Sequence, residues 1–314
     1  MNLAKAASYC VESLEYSLQR VRYSLRPQGF SHSSEERILS KHIEELLPQD
    51  APKTVVDIGA GNGVRWSNTY SLFLQGWKGA GVEADERKFV QLQRAYRNLP
   101  NARAVHESAD PDNIVSLLKS LDIEQNFSVL SLDIDGNDYW VLKAILSEFR
   151  PTFVVTEINE KIPPPLRFLF KYEHNPQLRH HFFGYSISVL EDLCEEFGYG
   201  VLELEYNNAF IAPRELKAAK FLDTEKAYAL GYRDRPDRKQ RFASNHDMEA
   251  LHSLSPTKGI AFLRDFYSKE SGKYYLATNR EMLAMQLEKG WTISDLRLQI
   301  GDCDDGFEIL NLKS

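Results

Sequence analysis

The chain has few cysteines. Cys10, Cys194 and Cys303 are widely separated and odd in number, which excludes a disulfide framework and a C-x-x-C metal site. It has no apolar run approaching the roughly eighteen residues of a membrane-spanning helix, and Lys5, Glu12, Glu15 and Arg20 interrupt any signal-peptide core. It has no excess of positive charge either. A net charge of −7 and a pI near 5.7 argue against nucleic acid or any partner held through its phosphates, because such binding relies on clustered Lys and Arg. No internal repeat or low-complexity segment occurs. With 43% hydrophobic and 26% charged residues over 314 positions, the expectation is an ordinary folded protein of the reducing cytoplasm, one large domain or one with an appendage.

What is present centres on Thr54 to Gly63, T-V-V-D-I-G-A-G-N-G. Thr54, Val55, Val56 and Ile58 are β-branched and suit a buried strand. Gly59, Gly61 and Gly63 then allow unusual dihedrals and a close approach of ligand to backbone. The dinucleotide fingerprint G-x-G-x-x-G would place its third glycine where Val64 stands. The spacing G-x-G-x-G after the acid Asp57 instead resembles motif I of the class I S-adenosylmethionine-dependent methyltransferases, whose loop cradles the amino-acid part of the cofactor. A glycine-rich turn in an unrelated α/β domain is the plainer alternative.

Downstream, β-rich runs alternate with helical patterns, the mark of parallel strands joined by crossover helices. Strands are expected at Thr54–Ala60, Gly79–Ala84, Ala102–Ser108, Phe127–Asp133 and Thr152–Ile158, and helices at Arg65–Leu74, Glu86–Leu99, Asn113–Leu121 and Tyr139–Phe149. After an insertion over Glu160–Tyr185 and a helix over Ser188–Phe197, the run V-L-E-L-E-Y, Asn207-Asn208 and A-F-I-A reads as an antiparallel hairpin turning at the two asparagines. The fold class is therefore α/β: a Rossmann-like seven-stranded sheet of five parallel crossover strands and a closing hairpin. Three segments are expected, an N-terminal helical one (1–50), the core (51–214) and a mainly helical C-terminal appendage (215–314). The first should hold helices over Leu3–Leu25 and Ser34–Leu47, with simple packing favoured over a lid or a dimer contact. The appendage shows helical patterns at Met248–Leu254, Thr257–Tyr267 and Arg280–Glu288. The basic stretch Arg233–Arg241 reads as a solvated loop, or as a seat for an anionic substrate group.

Several acids are expected at the ligand-binding edge of such a sheet. Glu83 ends the second strand about twenty residues beyond the glycine loop, where a carboxylate can accept from both ribose hydroxyls. Asp85 competes for that role or caps the next helix. Asp110 could accept from an adenine amine or cap a helix. The fourth strand ends L-D-I-D-G-N-D, with Asp133, Asp135 and Asp138 close enough to repel unless protons or cations intervene. Asp133, following an apolar run, should be the least solvated of the three. Glu157 and Asn159 follow on the fifth strand. Oxygen ligands here could hold Mg²⁺, the less favoured option. A metal-free base would be Asp135, Glu157 or one of His174, His180 and His181.

D-I-G-A-G-N-G followed by L-D-I-D-G-N-D-Y-W-V-L resembles the FkbM-type methyltransferases, whose strand ends D-[IV]-E-G-x-E. Asp135 stands where that family has Glu, Asn62 is shifted within the loop, and V-E-A-D replaces F-E-P. The resemblance covers about residues 54–158. It implies S-adenosylmethionine as donor and a hydroxyl acceptor on a small molecule or sugar. On this reading Asp57, Gly59, Gly61, Gly63, Glu83, Asp110 and Asp133 bind cofactor, and Asp135 and Glu157 serve the acceptor. The N-P-P-Y-type signature of many N-methyltransferases is absent from the fourth-strand end. A nicotinamide-dependent oxidoreductase and a non-catalytic binding module are the alternatives. The acceptor, the metal and the choice between monomer and homodimer are left open by the sequence.

Overall fold

The structure is a computed structural model that describes residues 18, 21–26, 29–174, 176, 179 and 181–289. Most of the helix expected over Leu3–Leu25, together with Cys10, His180 and Cys303, lies outside the described residues.

Seven strands form one sheet: β1 (Thr54–Ile58), β2 (Lys78–Glu83), β3 (Ala102–His106), β4 (Val129–Leu132), β5 (Phe153–Glu157), and, beyond a second small sheet, β7 (Tyr199–Glu205) and β8 (Asn208–Pro213). Their order is β3-β2-β1-β4-β5-β8-β7. The pairs β3/β2, β2/β1, β1/β4 and β4/β5 are parallel, whereas β8 runs antiparallel to both β5 and β7. This is a Rossmann-like seven-stranded α/β sheet, with all five crossover strands and the closing hairpin in the expected places.

Side chains on successive strand residues face opposite ways. Val56, Leu130 and Val154 accordingly join an apolar cluster with helices α4 (Ile114–Ser120), α5 (Asp138–Glu148) and α6 (Ile187–Phe197). Val55, Val129 and Val155 join the other cluster, with α1 (Glu35–Leu46), α2 (Tyr70–Leu74) and α3 (Glu86–Tyr96). Both faces of the sheet are covered, as a parallel sheet requires.

Three expectations need correction. The helix expected from Arg65 begins only at Tyr70. The Asn62 side chain accepts from the backbone N–H of Val64 and Arg65, and Asp57 accepts from the Thr69 hydroxyl, so side chains hold this segment as a loop. The hairpin turns at Tyr206-Asn207 rather than Asn207-Asn208. Tyr206 itself takes the left-handed φ of 56°, held there by its hydroxyl on Asp237 and by Arg235 over its ring. The basic stretch is largely exposed as expected, but it is not simply a solvated loop: it ends in a short helix, Arg238–Arg241, and several of its arginines are paired. Arg235 pairs with Glu205, buried Arg238 with Glu249, and Arg241 donates to Ser33.

The C-terminal part is not wholly helical. Besides helices Pro256–Phe266 and Arg280–Lys289 it supplies β9 (Tyr274–Ala277), antiparallel to β6 (Arg167–Phe170) in the inserted segment. Phe168, Phe170, Phe182, Leu263, Tyr267 and Leu276 make a third apolar cluster around this pair. The outer edge of β9 is closed by one side chain: the Gln286 amide donates to the Leu276 carbonyl at 3.0 Å and accepts from the Leu276 N–H at 3.2 Å. Among the described residues no helix is long and apolar enough to cross a membrane.

Replacing Gln286 by Ala leaves both Leu276 backbone groups without those bonds. The expected cost is roughly 1–3 kcal/mol of unfolding free energy, read by denaturant titration.

Candidate functional site

The strand order reverses at the carboxyl ends of β1 and β4, because β2 and β3 lie to one side of β1 while β4 and β5 lie to the other. A crevice is left there by the diverging connections. In this structure it is a cavity of about 740 Å³, the size of a small-molecule site.

The three motif glycines serve three different ends. A Cβ on Gly59, at φ 81°, would sit 1.7 Å from the Asp133 carbonyl oxygen, so this glycine lets the ends of β1 and β4 touch. A Cβ on Gly63 would meet Leu92, Ala95 and Tyr96, so this one lets the loop pack on α3, and it does not line the cavity. Gly61, at φ 57°, has no atom within 4 Å of its missing Cβ and lines the cavity. Only there does the sequence argument for close ligand approach apply in full.

Asp57 and Glu83 both line the cavity and are otherwise buried. Asp57 accepts from Thr69 Oγ1 at 2.6 Å and tethers the loop that follows the glycines. Burial pushes its carboxyl above the usual range, against the pull of these hydroxyls. The Glu83 carboxylate accepts from Gly61 N–H at 2.8 Å through one oxygen and from Asp85 N–H at 2.7 Å through the other. Each oxygen keeps a lone pair for another donor. Asp85 caps α3, accepting from Lys88 N–H. Asp110 does not line the cavity. Its carboxylate takes bonds from the Tyr172 hydroxyl and from Asp112 N–H, and exposed His174 lies 3.4 Å away.

On the other side, Asp133, Asp135 and Glu157 present carboxylate oxygens within 4.8 Å of one another. The expectation about solvation is reversed. Asp133 is exposed to the cavity, and Asp138 is the buried acid, 1% exposed. Asp138 survives there because its two oxygens accept from Ile134 N–H and Gly136 N–H, both at 2.8 Å. Its pKa is still pushed up to about 6, by burial first and then by Asp135. The surrounding protein and the neighbouring acids Asp138, Asp135 and Asp57 push Asp133 up to about 8. Burial, then Asp133, raises Glu157 well above the carboxylate range, although Asn207 Nδ2 donates to it at 2.7 Å. Asp135 has the left-handed φ of 55° beside Gly136. Asp133 and Glu157 hold a shared proton between them more readily than two charges.

His181 pairs with Asp247 away from the cavity, and His174 is likewise outside it. A histidine that the sequence reading passed over does line it. His32 meets Trp66 edge to face at 5.3 Å, and burial with Arg241, Arg26 and Arg65 lowers its pKa. Glu35, anticipated only as a first-turn residue of α1, is buried on the cavity wall, accepting from Ser33 N–H and Asn208 Nδ2. So α1 packs on the core through Ile38 and Leu39 as expected, while the residues at its start enter the site. Nothing local marks them; the Arg241 bond to Ser33, across more than two hundred residues, brings them there.

No protein family model matches the chain, and no curated protein matches it in sequence. Among solved structures it is similar to the CurJ carbon methyltransferase (13% identity, 59% of this chain and 56% of that one, TM-score 0.38). It is also similar to the N-terminal domain of EvdMO1 with SAH bound (13%, 60% and 84%, 0.38) and to the O-methyltransferase from Bacillus cereus in complex with SAH (13%, 64% and 90%, 0.38). The chain thus spans little more than half of the first. These likenesses are too distant to speak to substrate.

Gly59→Ala is expected to cost at least about 3 kcal/mol or prevent folding, since backbone must move. Gly61→Ala, with free space, should cost only about 1–2 kcal/mol for its left-handed φ. Chemical denaturation of the two variants separates these outcomes. Because Asp133 and Glu157 bind protons more tightly in the folded chain, stability should fall as pH rises from near the ordinary 3.8 toward about 8. Asp133→Asn should flatten that slope and raise the melting temperature at pH 8.

Proposed function

We propose that the chain is an S-adenosylmethionine-dependent methyltransferase acting on a hydroxyl of a small-molecule or sugar-type acceptor. One observation carries this over a nicotinamide enzyme. The glycine loop does not run into a helix N-terminus; it runs into the irregular segment ending at Thr69, and the five-residue α2 starts only at Tyr70. A pyrophosphate would lack its usual seat. A nucleoside with a zwitterionic tail needs no such seat, and the open face of Gly61 beside Glu83 fits it.

In this reading Glu83 accepts from the ribose hydroxyls, and the Gly59–Gly61 backbone with Asp57 and Asp133 surrounds the amino-acid part. Asp110, turned toward Tyr172, would reach an adenine amine only by leaving that hydroxyl, so Glu107 and Ala109, which line the cavity, are better placed at that end. The cofactor supplies an electrophilic methyl group. The protein's contribution is alignment, worth up to roughly 7–11 kcal/mol in favourable cases, and removal of the acceptor's proton. Glu157 and Asp135 orient the hydroxyl and take that proton on a carboxylate oxygen. A Mg²⁺ ion held by Asp133, Asp135 and Glu157 is the second reading, favoured by their 4.8 Å grouping. It requires that EDTA abolish activity and added Mg²⁺ restore it.

Calorimetric titration with S-adenosylhomocysteine tests the cofactor assignment. Micromolar binding is expected, weakened roughly ten- to hundredfold by Glu83→Ala, the loss of about 1.5–3 kcal/mol of charge-assisted hydrogen bonding. Tighter binding of NADH, or indifference to Glu83→Ala, would sink it. On a hydroxyl acceptor found by screening sugars and polyols, the rate should climb as pH rises well above the ordinary carboxylate range, because burial and the neighbouring Asp133 make Glu157 hold its proton there. A rate already level above pH 6, or unchanged in Glu157→Gln, would remove the acid group from catalysis.

A further inference from the structure

We propose that Arg65 binds the carboxylate of the cofactor's amino-acid tail and so discriminates the full cofactor from its tail-less nucleoside. This rests on the methyltransferase reading. The cavity wall is dominated by acids, among them Glu35, Asp57, Glu83, Asp133, Asp135 and Glu157, and among the described residues its Lys and Arg side chains are Lys88 and Arg65. Lys88 acts on Asp133, whose charge it favours. Arg65 forms no ion pair among the described residues; its guanidinium lies over the Trp66 ring, 3.8 Å from the centroid. An arginine facing a cavity in this state has its forked donors available for a planar anion.

The backbone is arranged to keep it there. Asn62 accepts from Arg65 N–H at 2.8 Å, and Trp66, 51% exposed, adopts a φ of 61°. That conformation costs a bulky residue energy and collects at ligand sites. Beside Trp66, His32 has its pKa lowered by burial first and then by the guanidinium groups of Arg241, Arg26 and Arg65. Arg241 is committed to Ser33 and Arg26 lies over Tyr23, so of the three Arg65 is the one on the cavity lining. With the ribose at Glu83, a tail crossing Gly61 runs toward this segment, its ammonium facing the acids and its carboxylate facing Arg65. A carboxylate on the acceptor would suit the same guanidinium, and the choice of probes separates the two.

The test compares S-adenosylhomocysteine with methylthioadenosine, which keeps the nucleoside and sulfur but lacks the amino-acid tail. Arg65→Ala should weaken the first at least tenfold and the second less than twofold, with an unchanged melting temperature, and Arg65→Lys should recover part of the loss. Equal weakening of both ligands, or of neither, overturns the assignment to the cofactor tail. Wild-type protein that binds neither compound overturns the cofactor reading itself, and this inference with it.

Discussion

The close approach of two strand ends governs this molecule. At Gly59 the end of β1 lies directly against the Asp133 carbonyl at the end of β4, with no room for a side chain between them. Because the sheet reverses its order between these strands, the contact forms the floor of the crevice. It sets the glycine loop and Glu83 on one side and the acids of β4 and β5 on the other, within one cavity. Ligand groups placed on these two sides would meet over that floor.

The acids on that floor work against the fold. Asp57, Asp138 and Glu157 hold their protons more firmly than free carboxylates chiefly because burial disfavours their charge, and Asp133 does so through the surrounding protein and its acid neighbours. Asp57 and Asp138 are each compensated by donors from their own neighbourhood, Thr69 for one and two backbone amides for the other. Asp133 and Glu157 have less support and face the cavity, so their raised pKa values are a cost to stability at neutral pH.

Local chemistry made the sheet legible. A β-branched run marked the first strand and the alternation of short β-rich runs with helical patterns marked the other four, and the acid ending β2 fell beside the glycine loop. The segment after the glycines misled because its helical periodicity is overruled by Asn62 and Asp57, whose side chains offer the backbone a competing arrangement. Asp133 and Asp138 exchanged solvation because sequence neighbours report the strand, while a cavity at the strand's end reports the fold. Tyr274–Ala277 is too short and too flanked by helical pattern to be read as a strand without its partner. His32 and Glu35 reach the site through contacts with no local signature, above all Arg241 to Ser33, whereas Arg65 follows the glycine loop and is placed by Asn62.

The pairing of β6 with β9 also bears on the order in which the chain can become whole. Arg167 and Ala277 are register partners more than a hundred residues apart, and closing so long a loop is slow relative to forming local structure. During synthesis the seven-stranded sheet, complete at Pro213, emerges well before β9 does. Until then Phe168 and Phe170 lack the partners that cover them in the finished protein. The nascent chain therefore passes through an interval in which its seven-stranded sheet and the crevice at its edge are assembled while an aromatic strand edge stands open.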